Sequence, residues 1–201
     1  MTIKEELIDY ANRCLAGEET SGKKHKWACI RFLQDCKKED AKNVQANVWP
    51  YHWDEEEASK IVDWFAMLRH SKGDLAGQPI RLTDWQKFNL CQLYGWREDL
   101  TSYKRFKQSF IEVGRKNAKS QMEAGVALYE ISVMATRNEE NYEYYTAGTK
   151  RDQSKIILNE AKLMLNKSPL KPLFKITRDA VIHRKTGSFI KASVSYTHLT
   201  L

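Results

Sequence analysis

The stretch "KSQMEAGVALYEISVMATR", residues 119–137, constrains the fold more than any other part of the chain. Apolar residues at helical spacing occupy most of its circumference, so it reads as a buried helix that needs neighbours on several sides. Just upstream lies "YKRFKQSFIEVGRKNA", in which Phe106, Phe110, Ile111 and Val113 predict a strand entering the interior, followed by a basic turn. Downstream, "YEYYTAG" predicts a second strand, rich in Tyr and Thr. Thr149 and Asp152 then cap a long helix through about Asn166, with Ile157, Ala161 and Met164 on one face and Pro169 ending it. "LFKITRDAVIHRKTGSFIKAS" reads as short strands joined by a Lys-Thr-Gly turn at 185–187. Strand, loop, helix, strand, helix, strand is the order of a parallel α/β architecture.

The first 72 residues read differently, as helices. Thr2 and Glu5 form a capping box, Ile3, Leu7, Ile8, Ala11 and Leu15 share a face, and Gly17 suits the stop. "KHKWACIRFLQDCKK" predicts a second helix with Trp27, Ile30, Leu33 and Cys36 facing inward. "VWPYHW" predicts a turn whose Trp49, Tyr51 and Trp53 serve packing rather than ligand stacking. A third helix starts at Asp54 with Glu57 in a box-like cap; Ala58, Ile61, Phe65 and Leu68 form its stripe, and it closes near Gly73. Thr83 can cap a further helix, "DWQKFNLCQLYGW". These shifts give a helical region over 1–75 and an α/β region over 76–193.

Composition narrows the class. The 42% hydrophobic residues support a core, no apolar run reaches bilayer length, and the N-terminus has acids where a signal peptide has its basic region. The chain is therefore read as intracellular and free of membrane. A net charge of +7 favours polyanionic partners, nucleic acid or nucleotide phosphates. The four cysteines, Cys14, Cys29, Cys36 and Cys91, match no paired zinc spacing and read as buried small apolar residues. Cys14, His25, Cys29 and Cys36 are the set that could surround a metal.

The chemistry concentrates in "IEVGRKNAKSQMEAG", residues 111–125. A phosphate loop works because a helix N-terminus offers free backbone N–H groups and a positive dipole end, to which a lysine adds charge. The usual form is G-x-x-x-x-G-K-[ST], with Lys on the β/γ phosphates and the hydroxyl on Mg²⁺. Aligned on Lys119 and Ser120, the glycine positions fall on Val113 and Ala118, and Gly114 lies one place off. The glycines are missing, yet the context of strand before and buried helix after is the one the motif demands. Upstream, an amide before the first strand of such a core can pair with the adenine edge, and Gln86 in "LTDWQKF" is the candidate.

Taken in order, "CIRFLQDC", "HSKGDLAGQPIRLTDWQKFNLCQLYGW", "RFKQSFIEVGRKNAKS" and "YTAGTKRDQSKIILNEAKLML" resemble the large subunit of tailed-phage terminases, the ATP-driven DNA-packaging motors. The resemblance covers nearly the whole chain. That family has a variant loop, R-K-N-G-K-S, without the leading glycine. Here Arg115, Lys116, Asn117, Lys119 and Ser120 match it, and Ala118 stands where the family has Gly.

The resemblance implies a P-loop NTPase core of the RecA/ASCE-like kind, incomplete in this chain and preceded by a helical region. It implies ATP and Mg²⁺ as cofactors. Lys119 neutralises the β/γ phosphates, Ser120 ligates Mg²⁺, Arg115 couples the γ-phosphate state to movement, and the N–H groups of residues 117–120 cradle phosphate. Trp85 and Gln86 stand on the adenine side. Ala118 is expected to weaken binding without abolishing it. The implied partners are double-stranded DNA, the small terminase subunit and the portal of the prohead, with a homo-oligomeric ring on the portal, in the host cytoplasm.

Phosphoryl transfer of this type also needs an acidic strand whose Asp holds Mg²⁺ and whose Glu positions water. No apolar strand ending in Asp-Glu follows the loop, and the family's nuclease domain is not found, so hydrolysis by this chain is expected near background. "VSYTHLTL", residues 194–201, resembles a translated sequencing adapter and is expected to be a scar rather than native sequence. Two other readings stay open: another P-loop translocase such as a helicase, and a non-catalytic basic DNA-binding module.

Overall fold

A computed structural model describes residues 1–42, 49–148 and 151–194. The chain divides into two compact units, one of Met1–Asp63 with Leu82–Ile111, the other of Trp64–Arg81 with the residues from Glu112 onward. The first holds helices α1 (Ile3–Ala16), α2 (Lys23–Lys42), most of α3 (Glu55–Met67) and α4 (Asp84–Gly95), with two short strands, β1 (Tyr51–Trp53) and β2 (Trp96–Glu98).

Local signals fix these helix ends. Thr2 Oγ1 accepts from the Glu5 N–H at 3.1 Å while the Glu5 carboxylate accepts from the Thr2 N–H at 2.8 Å, and Gly17 closes α1 at φ 87°. Asp54 caps α3 by accepting from the Glu57 N–H at 3.0 Å. On α2 the inward stripe is Cys29, Phe32 and Cys36, whereas Trp27 is 57% and Ile30 41% exposed. The helix carries apolar residues on two faces. Phe32 decides between them, because it meets the rings of Trp53, Phe88 and Trp96 at 5.9, 5.5 and 6.4 Å. Trp27 stays outside under the Lys23 ammonium, 5.1 Å from its ring.

β1 and β2 pair antiparallel with Trp53 opposite Trp96. Part of the expected turn is therefore a strand, and its aromatics do pack; Val48 lies outside the described residues. Two ion pairs tie this unit together, the buried Arg97–Glu57 and the partly buried Arg105–Asp35, both at 2.7 Å.

In the second unit α5 (Lys119–Tyr129) runs on through a π-helical turn (Glu130–Met134) into α6 (Ala135–Arg137). Met122, Ala124, Gly125, Ala127, Leu128, Tyr129, Ile131 and Met134 are all buried on it, the coverage that the apolar circumference requires. Within the π turn the Ser132 hydroxyl donates back to the Leu128 carbonyl, an i−4 bond that loosens a helix. The Trp64 indole donates to the Gly125 carbonyl at 3.0 Å, and a Cβ on Gly125 would lie 2.3 Å from the Phe65 ring.

β3 (Glu143–Gly148), β4 (Phe174–Ile176), β5 (Ala180–His183) and β6 (Phe189–Val194) form one sheet in the order β3-β6-β5-β4, against which α7 (Arg151–Asn166) packs. On α7 Leu158, Ala161, Met164 and Leu165 are buried and Ile157 is half-buried; its expected cap Thr149 lies outside the described residues. The α/β class holds, but the sheet is mixed. β3 and β6 run parallel, with α7 in the crossover between them. β4, β5 and β6 follow one another through connections of a few residues, which can join only antiparallel neighbours.

The strand expected over Phe106–Val113 does not form, and Phe110 is 79% exposed. An extended segment becomes a strand only when a neighbour supplies the hydrogen-bond ladder. Among the described residues none does so for this one.

Candidate functional site

The loop before α5 lies in the second unit. Residues 114–119 are exposed and Ser120 is half-buried. α5 starts at Lys119, so Lys119 and Ser120 occupy its first two positions. Ala118 is the N-cap, and no side chain caps the helix from there. The first-turn N–H groups therefore point outward with the positive end of the dipole behind them.

Two backbone conformations shape the approach. Ala118 sits at φ 53°, ψ 23°, and Lys116 at φ 70°, both in the left-handed region. A left-handed residue directly before right-handed helical ones turns successive N–H groups toward one point, an arrangement that favours anions. Asn117 holds the loop from within. Its Nδ2 donates to the Gly114 carbonyl at 3.1 Å and to the Arg115 carbonyl at 3.4 Å. Sequence reasoning gave Asn117 only a backbone role, so this brace was missed. A short amide three residues after a glycine was the signal.

Arg115, Lys116 and Lys119 thus stand within five residues of one capless helix start, and none of them is ion-paired among the described residues. The Ser120 hydroxyl makes no hydrogen bond to a protein atom among the described residues. Three unneutralised cations, free N–H groups and a free hydroxyl fit a polyphosphate with its divalent cation, so the residues present suit ATP and Mg²⁺.

Trp85 and Gln86 belong to the first unit, in the opening turn of α4. Gln86 is only 7% exposed, and its Oε1 accepts from the Thr83 N–H at 3.0 Å and the Thr83 hydroxyl at 3.1 Å. The amide thereby completes the cap of α4, while Nε2 has no protein partner among the described residues. Thr83 was legible as a cap. That Gln86 is its other half, three residues on, follows from the same rule and was overlooked.

Residues 84–197 match the family model described as terminase large subunit, ATPase domain. The chain belongs to that family. Among solved structures it is similar to the crystal structure of the HK97 bacteriophage large terminase, at 22% identity and a TM-score of 0.56, over 72% of this chain and 28% of that one. At that identity the likeness speaks for the fold, and the chain spans little more than a quarter of the terminase it matches. No curated protein matches the chain. The family match contains Trp85, Gln86, the whole loop and all of α5 and α7, so each candidate residue falls inside the ATPase-domain region.

Proposed function

We propose that residues 114–120 bind the phosphates of ATP, and that the chain serves as the ATPase part of a phage terminase large subunit that packages double-stranded DNA. The observation that carries this reading is the capless start of α5. It has two left-handed residues at its entrance and three unpaired cations around it, within a region that matches the terminase ATPase-domain model. Lys119 contacts the β/γ phosphates, the N–H groups from Asn117 to Ser120 hold the phosphate oxygens, and Arg115 answers the γ-phosphate. Ser120 holds Mg²⁺, which when bound neutralises charge on the phosphate oxygens. For Trp85 and Gln86 the adenine role rests on the family resemblance, with Nε2 of Gln86 as the available donor.

The proposal extends to double-stranded DNA, the small subunit and the portal as partners, to a homo-oligomeric ring, and to the host cytoplasm. No described helix is long and apolar enough to cross a membrane. The chain on its own binds nucleotide and turns it over near background, because none of the described strands that follow the loop ends in an acidic pair able to place water.

Calorimetric titration with ATP and Mg²⁺ tests the reading. Lys119→Ala should weaken binding about 10- to 100-fold, given roughly 1.5–3 kcal/mol for a hydrogen bond to a charged group. Affinity unchanged by Lys119→Ala sinks the proposal. Salt-sensitive DNA binding indifferent to both ATP and Lys119 would support the basic DNA-binding module instead.

A further inference from the structure

The first unit holds a second cluster of chemically active side chains, unrelated to the phosphate loop. Cys14 on α1 and His25 and Cys29 on α2 bring their donor atoms within 4.8 Å of one another. His25 and Cys29 are four residues apart, one helical turn, so both side chains leave α2 on the same face. Cys14 meets them from α1 across the short connection through Gly17. Cys36 does not join. It lies seven residues beyond Cys29, about 10.5 Å along the helix axis at 1.5 Å per residue.

From this geometry we infer that Cys14, His25 and Cys29 bind one thiophilic metal ion of the Zn²⁺ class, which staples α1 to α2. Zn–S bonds of about 2.3 Å and Zn–N bonds of about 2.0 Å place tetrahedral donors roughly 3.5–3.8 Å apart, a modest closure from the separation seen here. Both thiols are fully buried, and Cys14 hydrogen-bonds both the Cys29 thiol and the Tyr10 hydroxyl. The imidazole is already oriented. Its Nε2 is 3.1 Å from the Tyr10 hydroxyl, and its ring lies edge-on to Tyr10 and Phe88 at 5.8 and 5.4 Å. An outer partner that fixes a histidine ring is the usual support of a metal ligand. His25 itself is half-buried, so its side of the cluster is open to a water as fourth ligand. On binding, the two thiols lose their protons to solvent and the ion is held by two thiolates and one imidazole nitrogen.

The test uses the reduced, metal-free full chain. It is titrated with Zn²⁺ against a chromophoric chelator, and with Co²⁺ as a spectroscopic substitute. The expected result is one Zn²⁺ per chain and a Co²⁺ spectrum with thiolate charge-transfer bands in the near ultraviolet. Cys14→Ser and Cys29→Ser should each abolish both signals, and Cys36→Ser and Cys91→Ser should keep them. Tyr10→Phe should weaken Zn²⁺ binding about 10- to 100-fold. Absence of stoichiometric Zn²⁺ on folded wild-type chain overturns the inference, as does binding that survives loss of both Cys14 and Cys29. Should the serine variants fail to fold, the wild-type Co²⁺ spectrum decides alone, and a spectrum without thiolate bands is a negative result.

Discussion

Ala118 holds an L-residue at φ 53°, where the methyl crowds the following carbonyl. The left-handed region costs such a residue roughly 1–2 kcal/mol, a strain that glycine escapes. Glycine gives back part of this, about 0.4–1 kcal/mol, because its unfolded chain is freer. Ala118→Gly should therefore raise the urea midpoint by a small amount, worth about 0.5–1 kcal/mol. It should also tighten ATP binding, since without the methyl the backbone can approach the pyrophosphate more closely. A variant with unchanged midpoint and unchanged affinity would show the methyl to be harmless. The alanine was visible in the sequence as an oddity; its conformation was not, because nothing in "KNAKS" states a dihedral angle.

At the scale of elements, what could be read in advance was what neighbours in sequence decide. The Thr2–Glu5 box, the Asp54 cap, the Gly17 stop and the start of α4 at Thr83 are contacts within a few residues, and all of them formed. The inward face of α2, the missing strand over 106–113 and the antiparallel β4–β5–β6 meander depend on distant partners, and a local pattern cannot name these. Gly125 belongs to the second kind. A glycine inside a helix costs about 1 kcal/mol against alanine, so something must require it. Here the requirement is Phe65, buried and packed where a Cβ would stand. Gly125→Ala should therefore lower stability by about 1–3 kcal/mol despite its better helix propensity. Pairing it with Phe65→Leu should recover part of that loss, and a double-mutant cycle in urea measures the coupling. Strict additivity would mean that the two residues do not compete for the same space. The cap of α4 offers a simpler case. Thr83→Ala removes a hydroxyl that donates to Gln86 and should cost about 1 kcal/mol in thermal unfolding.

For the molecule as a whole, the functional region was legible because one ordered set of motifs runs through it, and the family match over 84–197 covers the loop and α7. The metal cluster was legible only as a list of residues. Which three of the four candidates meet depends on how α1 and α2 pack. Stability against pH is likewise a property of packing, and His183 on β5 provides the test. Burial depresses its pKa, with Lys185 adding to the effect, and its Nδ1 lies 3.0 Å from the Thr186 hydroxyl. Above the ordinary imidazole value, about 6.5, the ring is neutral in both folded and unfolded chains and contributes no pH dependence. As the pH falls from there toward the depressed folded value, the unfolded chain takes up a proton that the folded chain refuses, and stability is lost. Urea midpoints followed from about pH 8 down to about pH 5 should therefore fall in the wild type, across the window in which histidine titrates. His183→Asn removes the titrating group while keeping a short polar side chain near Thr186, so its midpoint should fall less over the same interval. An equal fall in both proteins would assign the acid sensitivity to other groups and leave His183 without a part in it.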